Sequence, residues 1–362
     1  MTIGFVLDDT LDVADGVQAA ILALGKELSE RGHDVHYLVT ETKRTDIRNI
    51  HSMTKSVALK FNGNSVRTPR FTSKKKVIAL FEQVKFDVLH VQMPFSPLFA
   101  SRIVKYAPKD TKIIGTFHIL PYGWLASKGT HVLGWLQKNT IKKFDTVFAV
   151  SEPAQVFMRR CYGVKGNVLP NPVNYHFFNQ QKKLYTNKKS IVFVGRFEQR
   201  KGVLHLIKAY SRLPESILNT SELIMCGKGP LLVDAKNFAH TKDCNVAFPG
   251  FVSDEEKAQY LANADIAVFP SISGESFGIV LAEAMSAGAG VTVGGNNPGY
   301  ASVLGEWPDT LFDPNDTTMF TKTLRLFLTD TQKRKKIGSL QHDAVKKYDI
   351  KKVVDRLMLC YK

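Results

Sequence analysis

The sequence predicts an α/β protein built from two doubly wound domains, and three observations carry that reading. Short apolar runs alternate with segments of helical periodicity; each run ends in polar residues; and the alternation pauses once near the middle before restarting. At 362 residues the chain is also long for a single core.

The first run, "TIGFVL", is continuous and apolar, as a strand covered on both faces should be. A polar loop, "DDTLDVADG", leads to "VQAAILALGKELSERG", whose Val17, Ile21, Leu24 and Leu28 share a helix face that ends at Gly32. "HDVHYLVT" is the next strand, and the unit repeats through "FDVLHVQ" (86–92), "KIIGTFH" (112–118) and "DTVFAVS" (145–151). Ser151 is placed to cap the helix that follows. Residues 166–190 hold two prolines, several asparagines and no period, so a linker is expected there. Beyond it come "SIVFVGR" (190–196), a helix from about 202, "SELIMCGKG", "NVAFPG", "DIAVFPS" and a last helix-forming run, "ESFGIVLAEAMSAG". The tail "DIKKVVDRLMLCYK" is an amphipathic helix that nothing local assigns to either domain. In such folds ligands bind beyond the carboxyl ends of the strands, here expected to face a cleft between the domains.

The balance of 49 Lys and Arg against 33 Asp and Glu, a net charge of +16, favours an anionic partner: nucleic acid, phospholipid head groups or phosphorylated ligands. Aromatic residues do not interleave with the basic runs as a base-stacking platform would need, so nucleic acid is not expected. The 4 cysteines form no CxxC pair, as in a reducing cytosol. No apolar run approaches the roughly 18 residues of a membrane span and the start lacks a signal peptide's basic residues, so a soluble protein able to touch a membrane surface is expected.

Polar residues cluster at the strand ends of the second half. In "GRFEQRKG" (195–202) Gly195 permits close backbone approach, and Arg196, Arg200 and Lys201 suit a diphosphate; a solvated basic turn is the other reading. In "SISGESFGIVLAEAMSAG", Gly274 and Gly278 lead to a helix start, with Glu275 and Glu283 eight positions apart among apolar neighbours. If both were helical they would lie about two turns apart on much the same side and could take hydroxyls at two places on one ligand. A capped helix with two exposed acids is the alternative. "DGVQ" (15–18) puts Gly16 at a helix start without the G-x-G-x-x-G spacing, and His118 ends a strand as a lone histidine, a residue more often structural than catalytic. No H-E-x-x-H and no strand-end D-x-D occurs, so no metal is expected. Lys74, Lys75 and Lys76 open an amphipathic helix (Val77, Leu80, Phe81, Val84), either as a solvated start or as a contact with anionic lipid at about 1 kcal/mol per cation. The stretch 121–138, with two tryptophans, is a second candidate for such a contact.

On DGVQ, "FNGNSVR" (61–67), GTFH (115–118), GRFEQRKG, "GFVSDEEK" (250–257) and ESFGIVLAEAMSAG, the chain resembles the retaining nucleotide-sugar glycosyltransferases of GT-B fold, and among them the phosphatidylinositol α-mannosyltransferases. The resemblance runs end to end. It implies two Rossmann-like domains: residues 1–170 with a returning helix at 347–362, which would bind acceptor and membrane, and 171–346, which would bind the nucleotide sugar. It implies that Arg196 and Lys201 hold the donor diphosphate with the Gly16 amide nearby, that Glu275 contacts the transferred hexose amid the backbone of Ser276, Phe277, Gly278 and Ile279, and that Glu283 binds ribose. Val252, Asp254 and Lys257 fall where the family meets guanine nucleotide, and His118 lies beside the reacting sugar. Gln18, Asn62 and Arg67 would meet the inositol phosphate, with Arg70 able to take the place of Arg67. This sequence departs from the family pattern at Asp15, at Pro172 and Asn174, and at Gln92, where the family carries a second histidine.

The resemblance implies a hexose moved with retention, mannose from GDP-mannose, to phosphatidylinositol, by a cytoplasmic enzyme peripheral to the inner face of the cell membrane. UDP-glucose as donor or diacylglycerol as acceptor is the alternative among enzymes. A sugar-nucleotide or nucleic-acid binding protein without catalysis is the alternative outside them.

Overall fold

The computed structural model of the chain describes residues 1–12, 15–61, 64–69, 72–94, 96–120, 137–183 and 187–362, with the side chains of 57–61, 64–68 and 138 outside that description. Asn62, Arg70 and the tryptophan-bearing stretch 121–136 therefore lie outside the described residues, and Arg67 is described as backbone alone. The chain divides into two compact units: Met1–Pro172 with Ile350–Lys362, and Val173–Asp349.

In the first unit the strands are β1 (Thr2–Val6), β2 (Asp34–Thr40), β3 (Ile50–Thr54), β4 (Ser56–Phe61), β5 (Asn64–Pro69), β6 (Val88–Gln92), β7 (Lys112–Phe117), β8 (Thr146–Ala149) and β9 (Asn167–Val168). Seven of them form one sheet in the order β3-β2-β1-β6-β7-β8-β9, parallel throughout. Both faces are covered, which is why β1 and β6 are buried along nearly their whole length. The helix Gly16–Glu30 lays Ile21, Leu24 and Leu28 on the sheet, and the C-terminal helix Ile350–Tyr361 adds Val353, Val354, Leu357 and Tyr361 to the same core. Each such burial stabilises by about 1.5–3 kcal/mol. Tyr361 also ties its helix to the sheet: its hydroxyl bonds His90 Nδ1 at 2.7 Å, while His90 Nε2 meets Thr116 Oγ1 at 2.7 Å.

Phe61 and residues 64–67 belong to strands rather than to the loop that the sequence suggests. β4 and β5 pair antiparallel from Ser56↔Pro69 to Phe61↔Asn64, which sets Arg67 opposite Ala58. An N-G pair between two strand-forming stretches is a hairpin signal that a reading for helices and buried strands passes over. The helix Lys74–Gln83 begins as expected, with Ser73 Oγ accepting the Lys76 amide at 3.2 Å.

The second unit holds β10 (Lys189–Val194), β11 (Ser221–Cys226), β12 (Val246–Gly250), β13 (Ile266–Phe269), β14 (Thr292–Gly295) and β15 (Leu311–Phe312), in the order β12-β11-β10-β13-β14-β15 and again parallel. Phe193, Phe197, Leu206, Tyr210, Phe320 and Phe327 fill its core. Because the strands are parallel, the loops after β10, β11 and β13 leave from one edge, side by side. The expected linker is less irregular than its composition: 166–190 contains β9 and a short helix, Tyr175–Asn179, capped by Asn174.

Candidate functional site

At that edge of the second unit two loops meet. The Ile272 amide donates to the Arg200 carbonyl at 2.8 Å, which holds the turn after β10 against the loop after β13. Gly202, with φ 69°, ends the turn where any Cβ would strike the Pro270 carbonyl, so the two loops approach more closely than other residues allow. The backbone contact brings charge together. Glu275 Oε1 accepts from Lys201 Nζ at 2.7 Å and from Arg200 Nη1 at 3.0 Å. Glu198 lies between two arginines, with Oε2 3.2 Å from Arg200 Nε and Oε1 3.3 Å from Arg196 Nη1. Burial alone would raise the Glu275 pKa, but Lys201 and Arg200 outweigh it and hold the carboxyl below its usual range. The cluster is thus a fixed charge array, with Arg196 its most exposed member at 45%.

Sequence spacing misjudged the relation of the two glutamates. The helix begins only at Ile279, after Gly278 at φ 97°, so Glu275 belongs to the loop and shares no helix face with Glu283. Glu283 meets a separate cation, Lys257 Nζ, at 2.9 Å, and Lys257 also reaches Asp254 at 2.9 Å and overlies the Phe178 ring at 5.3 Å. Burial pushes the Glu283 pKa up, and Lys257 only partly opposes it. Lys257 is positioned by the helix Asp254–Asn263, whose start is fixed by a reciprocal Ser253–Glu256 capping box. Val252 is partly exposed just before that start. Phe277 is a core residue, edge-on to Tyr348 at 5.1 Å between centroids, which leaves its backbone as the part able to face a ligand. Tyr300, Ser271 and Asn297 brace the loop from beneath: Ser271 Oγ bonds the Tyr300 hydroxyl at 3.1 Å and Asn297 Nδ2 donates to the Ser271 carbonyl at 3.0 Å.

Sequence reasoning missed Glu198 and this brace. Glu198 was visible in GRFEQRKG, where an acid between two arginines at i±2 signals an internal pair. The brace has no local signal, since Tyr300 is 29 residues from Ser271.

In the first unit, His118 is buried at the end of β7 and its Nε2 lies 2.6 Å from Gln92 Oε1. Nε2 therefore donates, and Nδ1 is left as the acceptor. Burial lowers the His118 pKa to about 4, so the ring is neutral. The Gln92 side-chain nitrogen is buried with no partner among the described residues. Gln18 is also buried, with Nε2 donating to Asp9 Oδ2 at 3.2 Å and to the Thr10 carbonyl at 3.3 Å. Gly16 opens its helix after Asp15, whose side chain does not cap it. Asp8, at the end of β1, accepts the Ala100 amide at 2.6 Å and the Ser96 hydroxyl, capping the helix Phe99–Tyr106 from a distance. Lys74, Lys75 and Lys76 are exposed, and Lys76 Nζ bonds the Ser52 carbonyl at 2.7 Å. Among the described residues no helix is long and apolar enough to cross a membrane, and no group of three His, Cys, Asp or Glu is placed to hold a metal ion.

Two family models match the chain, one for each half: Glycosyltransferase Family 4 over residues 14–177 and Glycosyl transferases group 1 over 175–340. The chain is similar along its full length to proteins named phosphatidyl-myo-inositol mannosyltransferase. That of Mycolicibacterium smegmatis is 28% identical over 372 residues, covering all of this chain and 93% of its own. That of Propionibacterium freudenreichii is 27% identical over 84% of this chain and 79% of its own. Among solved structures, a glycosyltransferase of Rickettsia africae superposes with a TM-score of 0.76 at 18% identity, covering 100% of this chain and 97% of that one. WaaG, a glycosyltransferase involved in lipopolysaccharide biosynthesis, gives 0.68 at 16% identity, with 98% of each chain covered. Such likenesses carry the fold.

Proposed function

The chain is a glycosyltransferase of GT-B fold with a group 1 glycosyltransferase domain in its second unit, and from that premise we propose that it transfers mannose from GDP-mannose to phosphatidylinositol with retention at the anomeric carbon. The observation that carries the reading is the similarity to phosphatidyl-myo-inositol mannosyltransferases over all of this chain. A cluster of Arg196, Arg200 and Lys201 around two carboxylates supports a diphosphate-bearing donor at the second unit.

In this reading the bond between the anomeric carbon and the diphosphate breaks as the acceptor oxygen bonds to the same face of the sugar. The acceptor's proton passes to the departing phosphate oxygen. Positive charge grows on the sugar and negative charge on the diphosphate; Arg196 and Lys201 meet the latter as preorganised cations, and no metal is required. Glu275, kept ionised by its two cations, accepts hydroxyls of the hexose. Glu283 accepts those of the ribose beside Lys257 and Asp254. Neutral His118 orients the reacting sugar or a hydroxyl through Nδ1, and Gln18 lies with the acceptor's inositol phosphate. Lys74, Lys75 and Lys76 hold the chain to anionic lipid.

Transfer of label from GDP-mannose to phosphatidylinositol vesicles tests donor and acceptor together, with UDP-glucose and diacylglycerol vesicles as parallel arms and EDTA present throughout. Labelled lipid in the first arm alone is the expected result. Label only from UDP-glucose, or only into diacylglycerol, would replace the reading with another lipid glycosyltransferase.

A further inference from the structure

The opposite edge of the second unit's sheet holds a cavity of about 350 Å³. Its floor is the turn Ala287–Gly290, which carries the chain from the helix Ile279–Ser286 into the start of β14, whereas Glu275 and its cations follow the ends of β10 and β13. In a parallel sheet these are opposite edges, separated by a helix about 12 Å long. The wall is one face of the helix Thr331–Ala344, where Lys335, Ser339 and His342 recur at helical spacing. Gly338 on the same face lets that helix touch the turn, because any Cβ there would overlap the Gly290 carbonyl. Lys183 closes the far side. Part of this chemistry serves the fold. His342 uses both ring nitrogens, on the Met285 carbonyl at 2.8 Å and the Tyr175 hydroxyl at 3.0 Å, and Lys183 Nζ donates one hydrogen bond to the Gly288 carbonyl at 2.7 Å. Gln181 Nε2 likewise donates to the Phe177 carbonyl at 3.2 Å, whereas Lys335 and Ser339 have no such role among the described residues. Lys335 has no carboxylate partner among the described residues, although its neighbours Lys333 and Arg334 pair with Asp309 and Asp265. No Asp or Glu lines the cavity. Lys183 and Lys335 also repel: partial burial lowers the Lys183 pKa, Asp265 opposes the change, and Lys335 adds to the lowering.

We propose that this cavity is a second anion site, taking a small phosphorylated ligand between the Lys183 and Lys335 ammoniums with the Ser339 hydroxyl as a further donor. A phosphate relieves the repulsion that the two cations otherwise carry, and its oxygens match their remaining N–H groups. The space exceeds what one phosphate fills, so the ligand class is a phosphate on a small organic group or a pyrophosphate. A concave site suits a soluble anion better than a head group fixed in a bilayer. The probe is pyrophosphate, titrated calorimetrically into the full chain at constant ionic strength. Two independent sites are expected, one lost in Arg196→Ala and the other weakened about tenfold or more in Lys335→Glu or Ser339→Glu. Both of the latter residues are solvent-facing, so folding is checked simply by an unchanged melting temperature. Sedimentation with phosphatidylinositol vesicles should be the same for Lys335→Glu as for the unaltered chain. A single site removed by Arg196→Ala, or a second site indifferent to Lys335→Glu and Ser339→Glu, would overturn the assignment. So would a Lys335→Glu chain that loses vesicles but keeps pyrophosphate, since the cations would then serve a membrane.

Discussion

Glu275 carries its charge where burial would suppress it, because Lys201 and Arg200 both reach its Oε1. The arrangement makes Glu275→Gln a clean test of charge against shape, since glutamine keeps the volume and a carbonyl acceptor. If the carboxylate takes hexose hydroxyls as proposed, kcat should fall by roughly 100-fold or more, the scale of losing a preorganised charge. The melting temperature should move by only a few degrees. Near-normal turnover would remove the role. A second test concerns Gln92, whose carbonyl fixes the His118 tautomer. Gln92→Glu puts a carboxylate 2.6 Å from the ring nitrogen and should raise the imidazole pKa above about 4. The acid limb of the pH–rate profile should then shift toward neutral pH, whereas Gln92→Leu should lower kcat without that shift. A profile unmoved in Gln92→Glu would separate His118 from the titrating step. At this scale the reactive residue types were legible, and their partners were not. Arg196, Lys201, Glu275 and Glu283 stand out by composition of their stretches, but Lys201 and Glu275 meet only because β10 and β13 are neighbours.

The turn before the helix Ile279–Ser286 decides where Glu275 points. Gly278 sits at φ 97° and a Cβ there would come within 2.6 Å of Tyr300 Cδ1. Gly278→Ala therefore combines left-handed backbone strain with overlap on a buried ring, and should cost about 2–4 kcal/mol of stability. Urea denaturation would measure it, and donor affinity should fall with it, because Tyr300 also braces Ser271. A loss below about 0.5 kcal/mol would mean the loop is not held as described. The elements themselves were largely legible. Strands of a doubly covered parallel sheet are largely apolar, and β1, β6, β7, β8, β10, β11 and β13 each carry an apolar run, with polar residues mostly at their ends. What escaped was of two kinds. β3, "IHSMT", is half polar and extends the sheet at its edge, and β4 with β5 forms a hairpin outside the main sheet. The helix Ile350–Tyr361 was plain from its period, but its partner could only be seen in space: Leu357 and Val354 enter the first unit's core with Leu24 and Leu28, more than 300 residues earlier in the chain. Leu357→Ala should cost about 2–5 kcal/mol in that unit.

At the scale of the whole molecule, three buried titratable groups of the first unit tie stability to pH. Burial lowers the pKa of His118 to about 4 and, with a contribution from His118, that of His90 to about 3. The ordinary value is 6.5, so between pH 6.5 and 4 the unfolded chain binds protons that these rings refuse, and stability must fall as pH falls through that window. Each histidine is worth about 3 kcal/mol over the interval, at 1.36 kcal/mol per pH unit. Asp8 acts the other way. Burial raises its pKa to about 6 from 3.8, so the folded state takes up its proton first and gains about 3 kcal/mol as pH falls from 6 to 3.8. From these three groups alone, two histidines against one carboxyl leave a loss of about 4 kcal/mol by pH 4, a large part of what a domain of this size has. The melting temperature should accordingly drop between pH 6.5 and 4, and His90→Gln, which keeps a bonding side chain for Tyr361 and Thr116 but cannot titrate, should make that drop shallower. A melting temperature flat over this range, or equally steep in His90→Gln, would mean that these rings do take up protons inside the folded core.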